Sequence, residues 1–379
     1  MQSCLSPVRR VFCRLAIVLA FATTTAWAYP NNRDDLVFAN GVDRPVFAGG
    51  GVNYHWYGSD GLCNREPFGI VPNYHLADGN GSVRAQVQQQ LAVMRSRGIS
   101  RFSLGIFFTH GFSSGTLVDS SNPAQVSQAV TNIGNLLADV KAAGYSEVLF
   151  RFFPTSNINP SQSNFDPNLV DEYWNLIAQV RPVVAAAGIS YRLDLGVELA
   201  PRDSNSPFIF PVSERYKYPE NPEWSRAVRT LWQRYVLAYG INDTVGFSFF
   251  TDTNPDNQRW RVRHMRYVYE GIYPLLFAVD IYPTETINAA DKFVQFHDAM
   301  IREDSDGTEG FRNQGWIIAE ANYEDPLVAA DLSSAIAATG RAVFYLTQWP
   351  LDRTGGVCVD PNVNVRPPYE WTVYKAFGF

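Results

Sequence analysis

A single (β/α)8 TIM barrel is the fold this 379-residue sequence predicts, and three observations predict it. Eight short apolar strand patterns recur along the chain. Helical patterns lie between them, and several of those helices run out at a glycine. Strands alternating with helices at this spacing make a parallel sheet, and eight units leave no free edge once that sheet closes on itself.

The strand patterns, in order, are "VFAGGGVNY", "SRFSLGIFF", "EVLFRFFPT", "YRLDLGVEL", "TVGFSFFTD", "LLFAVDIYP", "GWIIAEANY" and "AVFYLTQWP". Clear helical patterns cover 83–97, 125–143, 168–187, 222–239 and 326–338. Gly98, Gly144, Gly188, Gly240 and Gly340 stand just past the last turns, where a left-handed residue closes a helix. No Pro/Gly/Ser-rich linker or charge run divides the chain, and no shorter repeat is present, so residues 29–379 read as one barrel domain. Two connections are long. Residues 53–82, after the first strand, carry Tyr54, His55, Trp56, Tyr57, Tyr74 and His75. Residues 199–221, after the fourth, carry Phe208, Phe210, Tyr216 and Tyr218. Long loops at a barrel mouth are usually functional, although aromatics in them also bury one another as a local core.

Residues 1–28 read as a signal peptide. Arg9, Arg10 and Arg14 precede the apolar run "LAIVLAF", and Ala26-Trp27-Ala28 offers a small-x-small cleavage site. The run is too short for a permanent membrane helix, and "RRVFCR" loosely resembles a twin-arginine export signal. A secreted or periplasmic location follows as the expectation. The formal charge is −6, and the leader contributes arginines but no acids, so the mature chain is more acidic still. An acidic chain without a Lys/Arg cluster speaks against nucleic acid or an anionic membrane as partner. Of the four cysteines, Cys4 and Cys13 leave with the leader. Cys63 follows the first strand and Cys358 the eighth, neighbouring loops in a closed barrel, so a disulfide pinning the seam is expected in an oxidising compartment. The alternative is two free thiols. Two distant cysteines are too few for a metal site, and no cofactor motif is present.

Successive side chains on a strand point to opposite faces. In the fourth strand Leu193, Leu195 and Val197 oppose Asp194, Gly196 and Glu198. In the sixth Phe277, Val279 and Ile281 oppose Asp280 and Tyr282. In the third Val148, Phe150 and Phe152 oppose Arg151, and in the seventh Ile317 and Ala319 oppose Ile318 and Glu320. The apolar faces suit the outer helices, which turns the polar faces toward the barrel axis. Polar groups gathered at the C-terminal mouth are where barrel enzymes keep their chemistry.

Glu198 and Glu320 stand out because each closes an apolar strand pattern. Cleavage of a glycosidic bond needs such a pair, one carboxyl to give a proton and one to act as nucleophile or base. The donor must hold its proton near neutrality, which burial or a neighbouring acid such as Asp194 or Asp280 would bring about. The other must stay ionised, a task for Arg151 or the Tyr282 hydroxyl. His55 and Trp56 after the first strand, and Asn53 at its end, can also reach the mouth.

Glu ending strand four, Tyr282 ending strand six, Glu ending strand seven and Trp349 ending strand eight together resemble the clan A retaining glycoside hydrolases. The resemblance spans nearly the whole mature chain in topology and about four positions in motif. It implies cleavage through a covalent glycosyl-enzyme, with Glu198 as acid/base and Glu320 as nucleophile. It further implies that Tyr282 bonds the nucleophile and that Trp349 floors the subsite beside the scissile bond. Two positions depart from the clan pattern. Val197 stands where the clan has Asn before the acid/base, and the arginine expected on strand two is missing from the strand end, leaving Arg151 on strand three to supply the positive charge.

Other chemistries fit less well. "DLGVE" matches the outer positions of the chitinase-type D-x-D-x-E strand with Asp194 and Glu198, but Gly196 replaces the middle acid. The five histidines show no metal-ligand spacing, and no G-x-S-x-G elbow or P-loop is present. The sequence therefore points to a glycosidase acting on a poly- or oligosaccharide. A non-catalytic glycan-binding barrel, or a lyase or transglycosylase using the same carboxylates, remains as the alternative.

Overall fold

The computed structural model describes residues 50–58, 68–199, 222–301, 311, 315–350 and 367–379. The leader, Cys63, Cys358 and nearly all of the connection after the fourth strand lie outside the described residues.

Among the described residues, eight main parallel strands alternate with eight helices, besides shorter pieces in the connections. The strands are β1 (Gly51–Asn53), β2 (Arg101–Thr109), β3 (Glu147–Pro154), β4 (Ser190–Asp194), β5 (in two pieces, Thr244–Gly246 and Phe249–Phe250), β6 (Leu276–Asp280), β7 (Gly315–Ala321) and β8 (Val343–Gln348). The helices are α1 (Val83–Ser96), α2 (Pro123–Ala142), α3 (Val170–Ala186), α4 (Pro222–Tyr239), α5 (Pro255–Tyr269), α6 (Ala289–Ile301), α7 (Pro326–Thr339) and the short α8 (Val373–Ala376). Neighbours run β5–β4–β3–β2–β1–β8–β7–β6, and the second piece of β5 pairs with β6. The continuous stretch 244–250 thus holds both ends of the path, and the ring closes through it.

Helix boundaries follow local chemistry. Asn122, Asn254 and Asp325 each cap a helix whose first residue is proline, their side-chain oxygens accepting backbone N–H bonds from the first turn. The five glycines expected past helix ends all take positive φ, from +65° at Gly340 to +92° at Gly98.

The core has two layers. The outer one lies between strands and helices and includes Val148, Phe150, Phe152, Leu193, Leu195, Phe277, Val279 and Ile281, the apolar faces expected there. The inner one fills the barrel with Leu149, Val245, Leu276, Ala278, Ile317, Ala319, Phe344 and Tyr345.

Strand β7 departs from the expected alternation. Ile317 and Ala319 face the barrel interior, while Trp316 and Ile318 join the outer core. Strict alternation would carry Glu320 outward with Ile318. A β-bulge prevents it: Val279 and Asp280 of β6 are consecutive, but they pair with Ile318 and Glu320, leaving Ala319 as the extra residue. Against β8 the same stretch is again one residue long, with Ile318 opposite Leu346 and Ala321 opposite Gln348. Ala319 and Glu320 therefore both point inward, and a bulge re-aims a side chain in just this way.

The connection after β1 is partly a local core. Tyr54, Tyr57 and Tyr74 bury into the outer layer, and the Tyr74 hydroxyl donates to Asp139 Oδ2 at 2.6 Å. His75 meets Asn132 of α2 at 3.0 Å. These residues brace the loop.

Candidate active site

At the C-terminal mouth Arg151 reaches inward from β3 and is fully buried. Its Nε donates to Asp194 Oδ2 at 2.9 Å and its Nη2 to Asp280 Oδ2 at 2.9 Å and to Ser248 Oγ at 3.1 Å. Its Nη1 donates to Glu320 Oε1. The planar fork of a guanidinium suits this many fixed acceptors. Glu320 Oε2 accepts from the Tyr282 hydroxyl at 2.7 Å, so both oxygens of this carboxylate are held by donors. Asp194 is fixed on its other oxygen, which accepts the N–H groups of Gly196 and Ser248 at 3.2 and 3.1 Å.

Three buried carboxyl groups thus share one cation. One positive charge cannot offset three negative ones in a low-dielectric interior, which favours the protonated forms of Asp280 and Glu320. Burial pushes Asp280 well above the usual carboxylate range, and the charges of Glu320, Glu198 and Asp194 add to that against Arg151. Burial likewise raises Glu320, to about 7; Arg151 and the Tyr282 hydroxyl pull it down, and Glu198 pushes it up. The upward push of Glu198 on both acids marks it as their electrostatic neighbour.

Glu198 is presented differently. β4 ends at Asp194, and the chain then turns, tied to β3 by Val197 N–H donating to Phe152 O at 3.0 Å. Glu198 sits in that turn, half-buried, in the left-handed region at φ +52°. Such a conformation is uncommon for a residue with a side chain and tends to gather at functional sites. Its N–H donates to Ser248 Oγ at 3.0 Å. Ser248 therefore accepts from both Arg151 and Glu198 and couples the clamp to the turn. It reaches this place because Gly246, at φ +69°, breaks β5 in two. A β-carbon at Gly246 would lie 2.4 Å from the Tyr269 hydroxyl oxygen.

Next to this cluster the mouth is aromatic, with Arg151 Cζ 5.3 Å from the centre of the Phe153 ring. His55 packs edge-on to Trp56, Phe107 and Phe153, with ring centroids 5.3, 5.4 and 4.8 Å away. Trp349 lies 5.4 Å from His55 and 5.2 Å from Trp56. Burial, reinforced by the nearby Arg151 charge, lowers the His55 pKa, so the imidazole is neutral. Both His55 nitrogens and Trp56 Nε1 are buried without a partner among the described residues.

The expected residues therefore fall into two groups. Arg151, Asp194, Asp280, Tyr282 and Glu320 form one bonded cluster, with Glu198 beside it; His55, Trp56 and Trp349 form the aromatic side. Asn53 is fully buried at the end of β1 and bonds the backbone of β7, donating to Ala319 O at 2.8 Å. Gly196, where the chitinase-type pattern has an acid, has no room for one: a β-carbon would lie 2.2 Å from Leu199 Cδ1. Sequence reasoning passed over Ser248, whose signal is a lone hydroxyl inside the apolar run "GFSFF". It also passed over Lys292 on α6, buried and donating to Thr251 O at 3.4 Å. Burial lowers the Lys292 pKa against the charges of Asp252 and Glu198. Among the described residues no cluster of His, Cys, Asp and Glu suits a metal ion, and no helix is long and apolar enough to cross a membrane.

No family model and no curated protein matches the chain. Solved structures similar to it include an endocellulase from Pyrococcus horikoshii, at 14% identity and a TM-score of 0.48, covering 86% of this chain and 91% of that one. A glycoside hydrolase family 5 enzyme from Prevotella bryantii matches at 11% identity and 0.47, over 87% and 96%. A D-psicose 3-epimerase from Clostridium cellulolyticum matches at 12% identity and 0.44, over 84% and 90%. These names cover different chemistries, and a shared architecture does not fix function.

Proposed function

We propose that the protein is an exported glycoside hydrolase that cleaves O-glycosidic bonds of a poly- or oligosaccharide with retention of configuration. The observation that carries the proposal is the seat of Glu320, with one carboxylate oxygen held by Arg151 and the other by Tyr282. A carboxyl whose two oxygens both accept hydrogen bonds is fixed for attack, and those donors favour its ionised form against the burial that raises its pKa. Glu198, half-buried at the turn after β4, is open enough to exchange protons with solvent. That favours Glu198 as acid/base and Glu320 as nucleophile.

In the first step the Glu320 carboxylate forms a bond to the anomeric carbon. The carbon–oxygen bond to the leaving group breaks, and the proton of Glu198 passes to the departing oxygen. In the second step water attacks the same carbon, its proton passes to Glu198, and Glu320 is released as carboxylate. Trp349, half-buried and backed by the buried Trp56 and His55, supplies an apolar wall for a sugar ring. Because Glu320 must be ionised to attack and titrates at about 7, kcat/KM should fall as pH drops through that value. Residues 1–28 would direct export, and Cys63 and Cys358 would pair outside the cytoplasm.

The test is hydrolysis of a panel of aryl glycosides followed by proton NMR of the first-formed sugar. Product of the substrate's own anomeric configuration supports the proposal. Inverted product, an unsaturated sugar, or binding without cleavage would replace it with an inverting glycosidase, a lyase or a glycan-binding barrel.

A further inference from the structure

We infer that Asn53 and Thr347 are positioning residues for Glu320, acting through the one carbonyl that the β7 bulge turns out of register. The inference rests on Glu320 being the nucleophile, and its test separates the two.

The face on which Glu320 lies is decided by a single extra residue. Trp316 and Ile318 belong to the outer core, and without the bulge Glu320 would follow them in alternation, away from Arg151. The bulge residue is Ala319, and two side chains hold its carbonyl oxygen. Asn53 Nδ2 donates to it from β1 at 2.8 Å, and Thr347 Oγ1 donates from β8 at 2.5 Å. The two are joined, Asn53 Nδ2 lying 3.3 Å from Thr347 Oγ1. The three strands β7, β8 and β1 are consecutive in the ring, so Asn53 reaches across β8 to fix β7.

Both side chains are completely buried, inside a barrel whose neighbouring layer is apolar. A polar group so placed is costly unless its bonds are used. Here Asn53 Nδ2 and Thr347 Oγ1 both bond the backbone beside Glu320, while Asn53 Oδ1 is buried without a partner among the described residues, and neither side chain belongs to the Arg151 cluster. Immediately beyond, Ile281 N–H donates to Glu320 O at 2.9 Å and Trp349 N–H to Ala321 O at 2.7 Å, so normal pairing resumes at once. Against β6 the distortion falls only at the step that swings Glu320 inward; against β8 the register also shifts earlier, between Trp316 and Ile317. Thr347 and Asn53 therefore select the rotated register that brings the Glu320 carboxylate to Arg151 and Tyr282.

The experiment uses the full chain with Thr347→Val and Asn53→Leu, singly and together, and Thr347→Ser as the conservative control. Steady-state kinetics on an aryl glycoside are paired with crystal structures of the variants. In each single variant kcat should fall about tenfold or more with KM nearly unchanged, because ground-state binding is untouched while the attacking group is misplaced. Thr347→Ser should restore the rate. The double variant should be little worse than the worse single one, since both side chains serve the same carbonyl. In the crystals Glu320 should leave Arg151 and Tyr282 while the barrel stays intact. If Thr347→Val does not fold, Thr347→Ala set against Thr347→Ser makes the same comparison. Variants that lose thermal stability but keep kcat and the Glu320 seat would overturn the inference. Should the unaltered protein cleave no glycoside while Glu320 still unseats in the variants, the positioning role stands and the glycosidase proposal falls.

Discussion

The two glutamates at the mouth are built in opposite ways. Glu320 lies on a strand inside the sheet, swung inward by a bulge and held by a guanidinium and a phenol. Glu198 lies beyond the end of its strand, on a left-handed turn fastened through the backbone to Ser248 and β3. A nucleophile gains from a fixed position, whereas an acid/base must take up and lose a proton in each cycle. The difference in presentation fits the roles proposed for the two residues, and it comes from the backbone as much as from the side chains.

The largest effect should come from removing the fixed member. Glu320→Ala is expected to cost about four orders of magnitude or more in kcat, measured by pre-steady-state and steady-state assays on aryl glycosides. Glu198→Ala should cost about 10²- to 10⁴-fold on substrates with poor leaving groups. That loss should shrink when the leaving group is a nitrophenolate that needs no proton. Equal losses across leaving groups would erase the distinction between the two residues.

Smaller effects sharpen the comparison. The Tyr282 hydroxyl lowers the Glu320 pKa by bonding its ionised form. Tyr282→Phe should therefore shift the acid limb of kcat/KM to higher pH and reduce the rate by about tenfold, the loss of one hydrogen bond to a charged group. A limb that stays put or moves down would remove Tyr282 from the nucleophile's seat.

The last effect is on stability. In the folded protein Glu320 titrates at about 7, above the ordinary value that it regains on unfolding. The unfolded state therefore sheds this proton first, and folding loses stability as pH rises between the two values. Glu320→Gln removes that penalty and also leaves Arg151 with two carboxylates in place of three. The variant should be more stable than the parent at pH 8 by on the order of 2 kcal/mol, with the gain fading toward pH 4 in urea titrations.

How much of this could be read from the chain follows from what periodicity can carry. The eight strands, their order and the glycine helix ends were legible because alternation and helix termination are local signals. The apolar faces of β3, β4 and β6 were legible for the same reason. The inner face of β7 was not. A bulge is set by pairing with β6 and β8 and by donors from Asn53 and Thr347, which are distant in sequence. Glu320 was singled out as inward-facing by strict alternation, which on β7 assigned Ile317 and Ala319 to the wrong layer. Ser248 escaped notice because its place depends on the break at Gly246, and one glycine within a strand pattern does not say which neighbour it will turn inward. The Arg151 cluster was visible only as separate residues. That one guanidinium serves Asp194, Asp280 and Glu320 together is a fact of closure.

The central claim is that Glu320 becomes covalently attached to the sugar. Incubation with activated 2-deoxy-2-fluoro glycosides, whose fluorine slows the second step more than it hinders trapping, would capture that species for peptide mass spectrometry. The account predicts a single fluoroglycosyl adduct on the peptide carrying Glu320, abolished by Glu320→Gln. An adduct on Glu198, or turnover of ordinary substrates with no adduct and an inverted product, would contradict it.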